Sequence, residues 1–118
     1  MSATPGPISE LTLETTKNAE ETIVRCTGKI TAGSSALLQS TVRSLIPETK
    51  CVVLDLTNVG YMDSSGLGAV AGLYFSAKRQ NSRLKLINLN QRLKDLFRLT
   101  NLASVFEGHE DFLGFTPD

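Results

Sequence analysis

Histidine and cysteine are scarce in this chain of 118 residues. His109 is the only histidine, which excludes any site that needs two imidazoles and removes the base from most hydrolase triads. The only cysteines, Cys26 and Cys51, each lie in a run rich in β-branched residues, where cysteine is usually a small buried hydrophobic side chain. We therefore expect no disulfide, no metal site and no cofactor.

Excess charge of one sign and long apolar runs are also lacking. Twelve Lys and Arg residues balance twelve Asp and Glu residues, so the chain offers no basic surface for nucleic acid or anionic lipid. No stretch reaches the roughly 18 to 20 apolar residues that a membrane span needs. Segment 1–8, MSATPGPI, has neither the basic nor the apolar region of a signal peptide. These features predict a cytoplasmic protein that neither binds nucleic acid nor inserts into a membrane.

The remaining composition fits one globular domain. The hydrophobic share is 41% and the charged share 20%, close to the averages of globular proteins, and the length suits a single core. Pro5, Gly6 and Pro7 leave the start of the chain with few apolar groups to offset the entropy cost of ordering it. We predict a flexible tail over residues 1–8 and a single domain over 9–118.

Apolar periodicity predicts the order β-β-α-β-α-β-α-β. The predicted segments are strands at 11–16 and 22–27, a helix from Ser34 or Ser35 to just before Pro47, a strand at 51–56, a helix at 64–79, a strand at 84–89, a helix capped by Asn90, a strand at 103–106 and a turn or short helix at 109–115. Gly28 is expected to end the second strand, and a loop through Gly60 to follow the third. This order predicts an α/β fold with a mixed, mostly parallel sheet, an antiparallel N-terminal strand and helices packed against it.

The segment 63–68, DSSGLG, lies between a buried strand and a helix, where an open α/β sheet usually carries its site. Asp63 or Ser64 can cap the helix, and the free N–H groups of the helix start would stabilise a phosphate added to a serine. The same spacing also fits a purely structural capped helix whose glycines pack closely on the sheet. Spacing alone leaves both interpretations open.

Enzymatic and cofactor-binding interpretations of this segment fail on spacing. A nucleophile elbow needs a glycine two residues before the serine, but Met62 and Asp63 stand at that distance before the two serines. The glycines that follow match neither phosphate-loop pattern. Asp55 and Asp63 have no further acidic residue nearby to complete a metal site. We therefore predict that the protein is not an enzyme.

Several segments together resemble the STAS domain of bacterial anti-sigma-factor antagonists. They are VVLDL at 52–56, VGYMDSSGLG at 59–68, LKL at 84–86 and LFRLTNL at 96–102. The resemblance runs from about Leu11 to Phe106 and implies the STAS fold. In that family the serine directly after the aspartate is phosphorylated by the partner anti-sigma factor, a serine kinase. The resemblance therefore implies that Ser64 is the phosphorylated residue and Ser65 its neighbour.

The resemblance also implies where the partner binds. The family uses the loop after its second strand and the helix after the phosphorylation site, which here are 28–34 and the exposed side of 64–79. Many members carry an acidic residue in that loop, where this chain has Thr31. The implied partner-binding residues are Thr31, Met62, Asp63, Ser65, Gly66, Leu67 and Gly68.

Apolar side chains near Ser64 are candidate anchors for the partner, because interfaces with little charge depend on a modest apolar patch. The candidates are Tyr61, Met62 and Leu67. Leu67 falls on the predicted buried face of its helix, so we expect it in the core. We expect Met62 to be the exposed contact.

The function that the resemblance implies is partner switching. The unphosphorylated chain would bind an anti-sigma factor serine kinase and so free a sigma factor, and phosphorylation of Ser64 would release it. A PP2C-type phosphatase is a candidate second partner. The alternative is a constitutive STAS scaffold or accessory subunit of a stress-signalling or lipid-transport complex, in which Ser64 only caps a helix.

Overall fold

The structure is a computed structural model that describes residues 10–100. Its single sheet has the strand order β1-β2-β3-β4, with β1 at Leu11–Thr16, β2 at Thr22–Ile30, β3 at Cys51–Met62 and β4 at Arg83–Ile87. β1 pairs antiparallel with β2, and the other two pairings are parallel. The mixed, mostly parallel sheet is confirmed. The predictions for 1–8, 103–106 and 109–115 lie outside the described residues.

Within the described part of the chain, three helices connect or follow these strands. They are α1 at Ser35–Leu45, followed by a 3₁₀ turn at Ile46–Glu48, α2 at Ser64–Arg79 and α3 at Gln91–Leu99. Ser34 is the N-cap residue of α1, and Pro47 follows its last residues, where a proline cannot extend the α-helix. Asn90 caps α3 by accepting a hydrogen bond from the backbone N–H of Leu93 at 2.8 Å. The predicted positions of all three helices are confirmed.

The core lies where α1 and α2 pack on each other and on one face of the sheet. The first half of β3, 51–56, is buried throughout, as expected of a central strand with neighbours on both sides. α2 contributes the buried side chains Leu67, Val70 and Leu73. Apolar residues at helical spacing thus hold α2 flat on the sheet and fix the position of its first turn.

Both cysteines are buried, as predicted, and neither forms a disulfide. Burial, with a smaller contribution from the negative charge of Asp55, raises the pKa of the Cys26 thiol to about 12. A thiol with so high a pKa stays protonated at neutral pH and is a poor nucleophile. Cys26 is therefore a packing residue.

Two strands extend further than predicted. Gly28 does not end β2: it has a φ of +122° inside the strand, and a Cβ there would lie 2.1 Å from the backbone oxygen of Glu10. Glycine lets the strand pass close to that carbonyl and continue to Ile30. β3 runs through Gly60 to Met62, where the sequence predicts a loop, because it remains paired with β2 up to Met62 despite two register shifts. Both strands therefore end at the same edge of the sheet.

β4 is shorter than predicted at its carboxyl end. It stops at Ile87, and Asn88 has a φ of +62°, a left-handed conformation that breaks the extended backbone. The side-chain amide of Asn88 donates to the Asp55 carboxylate at 3.1 Å. This turn leads directly into the cap of α3 and so places α3 beside the end of β3.

Candidate functional site

The candidate site lies where β2 and β3 end side by side. Ile30 and Met62 are paired in the sheet, and the N–H of Asp63 donates to the carbonyl of Ile30 at 3.2 Å. The loop that follows β2 and the turn that begins α2 therefore lie next to each other, although 32 positions separate Thr31 from Asp63 in the sequence. Parallel pairing brings the two predicted partner-binding segments together.

Asp63 joins these two segments through one carboxylate. Its Oδ1 accepts from the N–H of Gly66 at 2.9 Å, which caps α2, and its Oδ2 accepts from the N–H of Ala32 at 3.3 Å. Asp63, one of the two residues predicted to cap α2, is its N-cap. The idea that Ser64 serves as the helix cap, which belonged to the scaffold alternative, is wrong because Asp63 occupies that position.

Ser64 and Ser65 are the first two residues of α2, and both are exposed. Within residues 10–100, neither hydroxyl makes a hydrogen bond. A serine hydroxyl that is exposed at the start of a helix and makes no hydrogen bond to the described residues is accessible to a modifying enzyme. The free N–H groups and the positive end of the helix dipole favour a negative charge at that position.

The glycines of the segment differ in their surroundings. A Cβ on Gly66 would lie 2.0 Å from the backbone oxygen of Ile30, so only glycine lets the first turn of α2 rest on the end of β2. Gly66 is buried, whereas Gly68 is exposed and a Cβ there would meet nothing within 4 Å. Of these two predicted partner-binding residues, only Gly68 faces outward.

The three apolar candidates are placed differently from each other. Leu67 is 3% exposed and belongs to the core, as predicted. Met62 is also buried, with 4% exposure, so the expectation that it is the exposed contact is wrong. A register shift between Gly28 and Lys29 leaves Gly60 out of the pairing with β2; beyond it Met62 pairs with Ile30 and is buried, whereas Tyr61 is 44% exposed. Tyr61 is therefore the exposed apolar side chain of this group.

The loop that carries Thr31 is held from several sides. The Ser34 hydroxyl donates to the carbonyl of Lys29 at 2.7 Å and accepts from the N–H of Thr31 at 2.9 Å. The Thr31 hydroxyl donates to the carboxylate of Glu10 and accepts from the N–H of Gly33 at 3.2 Å. A loop with so many internal contacts presents a defined surface.

Glu10 is a further residue of the site, which no sequence motif predicts. It immediately precedes β1, and the pairing of Leu11 with Gly28 brings it beside Thr31. Glu10 therefore supplies a carboxylate at the loop in which the sequence has Thr31. No local pattern marks this residue, because the contact depends on the antiparallel pairing of two strands.

An open cavity of about 650 Å³ lies beside Ser64, between the end of β3 and α3. Its lining residues are Tyr61, Met62, Asp63, Ser64, Arg92, Leu93, Asp95, Leu96 and Leu99. Leu99 is 82% exposed, so apolar surface continues from the cavity to the solvent. No sequence pattern connects α3 with the site, because only the tertiary fold brings α3 to Ser64.

Asp55, the other aspartate considered as a metal ligand, lies in a separate cluster. Its carboxylate accepts from Asn88 and from the N–H and hydroxyl of Thr57, and it forms an ion pair with Arg25 at 3.7 Å. Within residues 10–100, no group of three or more His, Cys, Asp or Glu side chains is placed to hold a metal ion.

Membrane insertion is a separate question. Among the described residues 10–100, no helix has both the length and the apolar character that crossing a membrane requires.

This fold, with a capped Asp-Ser turn at the ends of two parallel strands, defines the chain as a STAS domain. The family model for the STAS domain matches residues 10–112, and the chain belongs to that family. Among curated proteins, the anti-sigma-B factor antagonist of Bacillus subtilis (strain 168) is 31% identical over 97 residues. The match covers 82% of this chain and 89% of that protein.

Solved structures show the same fold. An anti-sigma factor antagonist from Mycobacterium paratuberculosis superposes with a TM-score of 0.73 at 18% identity, covering 85% of this chain and 86% of that one. The unphosphorylated form of the anti-sigma factor antagonist SpoIIAA gives a TM-score of 0.67 at 20% identity, covering 80% of this chain and 83% of that one. These two likenesses establish the STAS fold.

Proposed function

We propose that the chain is a non-enzymatic anti-sigma-factor antagonist that works by partner switching. When Ser64 is unmodified, it binds an anti-sigma factor with serine kinase activity and so frees the sigma factor. When Ser64 carries a phosphate, the complex dissociates. The observation that carries this proposal is the exposed Ser64 hydroxyl directly after Asp63, which makes no hydrogen bond within the described residues 10–100.

The likeness to named antagonists supports the binding role. The relative from Bacillus subtilis is named an anti-sigma-B factor antagonist, and a relative from Paenibacillus polymyxa, 27% identical over 96 residues, an anti-sigma F factor antagonist. Sigma factors act on RNA polymerase, so the exchange belongs in the bacterial cytoplasm. The residues that meet the partner are then the exposed ones around Ser64.

The proposed contact surface consists of the Thr31 loop, the start of α2 and the end of β3. Its exposed members are Tyr61, Ser64, Ser65 and Gly68, with Thr31 and Asp63 half-buried at its centre. Met62, Gly66 and Leu67 support this surface from below. An exposed tyrosine beside small residues is a favourable contact for a flat partner surface.

Phosphorylation transfers the γ-phosphoryl group of ATP to the Ser64 oxygen, with ADP as the leaving group and the hydroxyl proton released. The phosphate adds about −1.5 to −2 charges beside the Asp63 carboxylate. The start of α2 stabilises this charge, so the fold survives, whereas a partner surface would have to bury it. A switch from mostly bound to mostly free needs a loss of affinity of roughly 10²- to 10⁴-fold. Hydrolysis by a PP2C-type phosphatase would reset the chain.

The test is incubation of the chain with its cognate anti-sigma factor kinase and ATP, followed by measurement of phosphate incorporation and affinity. Ser64→Ala should bind the kinase but take up no phosphate, and the neighbouring variant Ser65→Ala should take up phosphate like the wild type. Equal incorporation into Ser64→Ala and the wild type would refute the site. Unchanged affinity of the phosphorylated wild type would refute the switch, and recovery of only a scaffold or transport complex from lysate would favour the scaffold alternative.

A further inference from the structure

We propose that Arg92 on α3 binds the phosphate on Ser64, so that phosphorylation links α3 to the start of α2. This inference rests on the phosphorylation of Ser64 proposed above. Ser64 and Arg92 lie far apart in the sequence but line the same open cavity of about 650 Å³. A phosphate attached to Ser64 would project from the wall of this cavity.

The charged groups of the cavity single out Arg92. Three charged side chains line it, namely Asp63, Asp95 and Arg92. Asp63 is engaged by the N–H groups of Ala32 and Gly66, as described above. Asp95 accepts from the side-chain amide of Gln91 at 2.9 Å and lies 3.8 Å from the guanidinium of Arg98.

The Arg92 guanidinium, by contrast, forms no hydrogen bond or ion pair within residues 10–100. It is an exposed cation with its donors free. The carboxylates of Asp63 and Asp95 already accept hydrogen bonds from other groups. A phosphate dianion on Ser64 would therefore be the strongest hydrogen-bond acceptor near Arg92. Guanidinium and phosphate pair through two parallel, charge-assisted hydrogen bonds, and a long flexible side chain can adjust to form them.

The floor of the cavity strengthens this pairing. Met62 and Leu93 are both buried, with 4% and 0% exposure, and line the same cavity as the two charged groups. Charges that meet over apolar surface are less well screened by water than charges on an open surface. Arg92 would then cover part of the apolar cavity in the phosphorylated chain and leave it open in the unmodified chain.

The experiment is a titration of the phosphate itself. Phosphoserine is incorporated at position 64 during translation, so that no kinase is needed, and the pH dependence of its ³¹P chemical shift is measured by NMR. The second pKa of phosphoserine is ordinarily near 6, and a neighbouring cation favours the dianion. In Arg92→Gln we expect the acid dissociation constant of the phosphate to fall by roughly threefold to tenfold relative to the wild type. Arg92→Lys should retain most of the wild-type value.

Lys94→Gln is the matched control, because it removes one positive charge from the same helix at a residue that does not line the cavity. We expect it to change the titration by less than half as much as Arg92→Gln. Identical phosphate titrations of Arg92→Gln and the wild type would overturn the proposal. Equal shifts in Arg92→Gln and Lys94→Gln would also overturn it, because they would show only the general electrostatic effect of positive charge on α3.

A second measurement covers the case in which Arg92→Gln does not fold. The ¹⁵N–¹H signal of the Arg92 side-chain Nε is compared in the wild type with serine and with phosphoserine at position 64. A downfield shift of the proton is expected, and an unchanged signal would overturn the proposal. Neither measurement involves the kinase or the sigma-factor exchange, so the role of Arg92 can fail while partner switching stands, or the reverse.

Discussion

Two glycines in the first turns of α2 have opposite roles. Gly66 is required by packing, because a Cβ there would lie 2.0 Å from the Ile30 carbonyl oxygen. Gly68 faces outward and has open space around it. The two sites therefore allow the same substitution to be tested in two environments one helical half-turn apart.

Gly66→Ala should destabilise the fold, because α2 must move away from the end of β2 to admit the methyl group. Overpacking of this kind typically costs about 1 to 3 kcal/mol. Gly68→Ala should instead stabilise the fold by up to about 1 kcal/mol, since alanine favours a helix interior over glycine. Urea unfolding of both variants measures the difference. Equal stabilities would show that the close approach of Gly66 to Ile30 does not constrain the helix.

At the scale of elements, Asp63 connects the α2 cap to the Thr31 loop. Asp63→Ala should lower the free energy of unfolding by about 1 to 2 kcal/mol through loss of the cap. It should also abolish the protection of the Ala32 N–H against hydrogen exchange, because that group donates to Asp63. Hydrogen exchange read by NMR reports both effects.

The control for this prediction is Asn90→Ala, which removes the equivalent cap of α3. It should destabilise the protein but leave the Ala32 amide as protected as in the wild type. If Ala32 stays protected in Asp63→Ala, the loop is held by its other bonds through Thr31 and Ser34, and the link between cap and loop is wrong.

Elements with local signals were predictable from the sequence, and elements set by pairing were not. α2 has the predicted bounds Ser64–Arg79, because a cap, an apolar stripe and terminal cations all lie within it. The ends of β2 and β3 were misplaced, since each strand is extended by its neighbour across a glycine. The burial of Met62 also depends on pairing, because the register shift between Gly28 and Lys29 decides which of the last β3 side chains is buried.

The residues of the site show the same division. The capped Asp-Ser turn was visible in the sequence, because it occupies six consecutive positions, 63–68. Glu10 and Arg92 were not, because β1 pairing brings Glu10 to the Thr31 loop and the turn after β4 brings Arg92 to the cavity beside Ser64. Contacts between residues that are distant in the sequence produce no local sequence pattern from which they could be predicted.

At the scale of the whole molecule, a polar cluster around Asp55 ties three strands together on the side of the sheet away from α1 and α2. Asp55 on β3 is 9% exposed and is contacted by Arg25 on β2 and by Asn88 at the end of β4. The hydroxyl of Thr57 completes the cluster, donating to Asp55 at 2.6 Å. The ionised carboxylate of Asp55 therefore links side chains from three neighbouring strands.

Burial by itself would raise the pKa of Asp55, but the hydrogen bonds from Thr57 and Asn88 and the charge of Arg25 outweigh it, so the pKa lies below its ordinary value. Since the folded pKa is lower than the unfolded one, this carboxylate stabilises the fold above the unfolded pKa, and the contribution is lost as the pH falls through the folded pKa. Urea unfolding between about pH 6 and pH 3 should therefore show a loss of stability that is smaller in Asp55→Asn. Thr57→Val, which removes one donor, should give an intermediate pH dependence, and Thr27→Val on β2 should match the wild type. If the free energy of unfolding of Asp55→Asn falls with pH as steeply as that of the wild type, other carboxylates cause the loss of stability in acid.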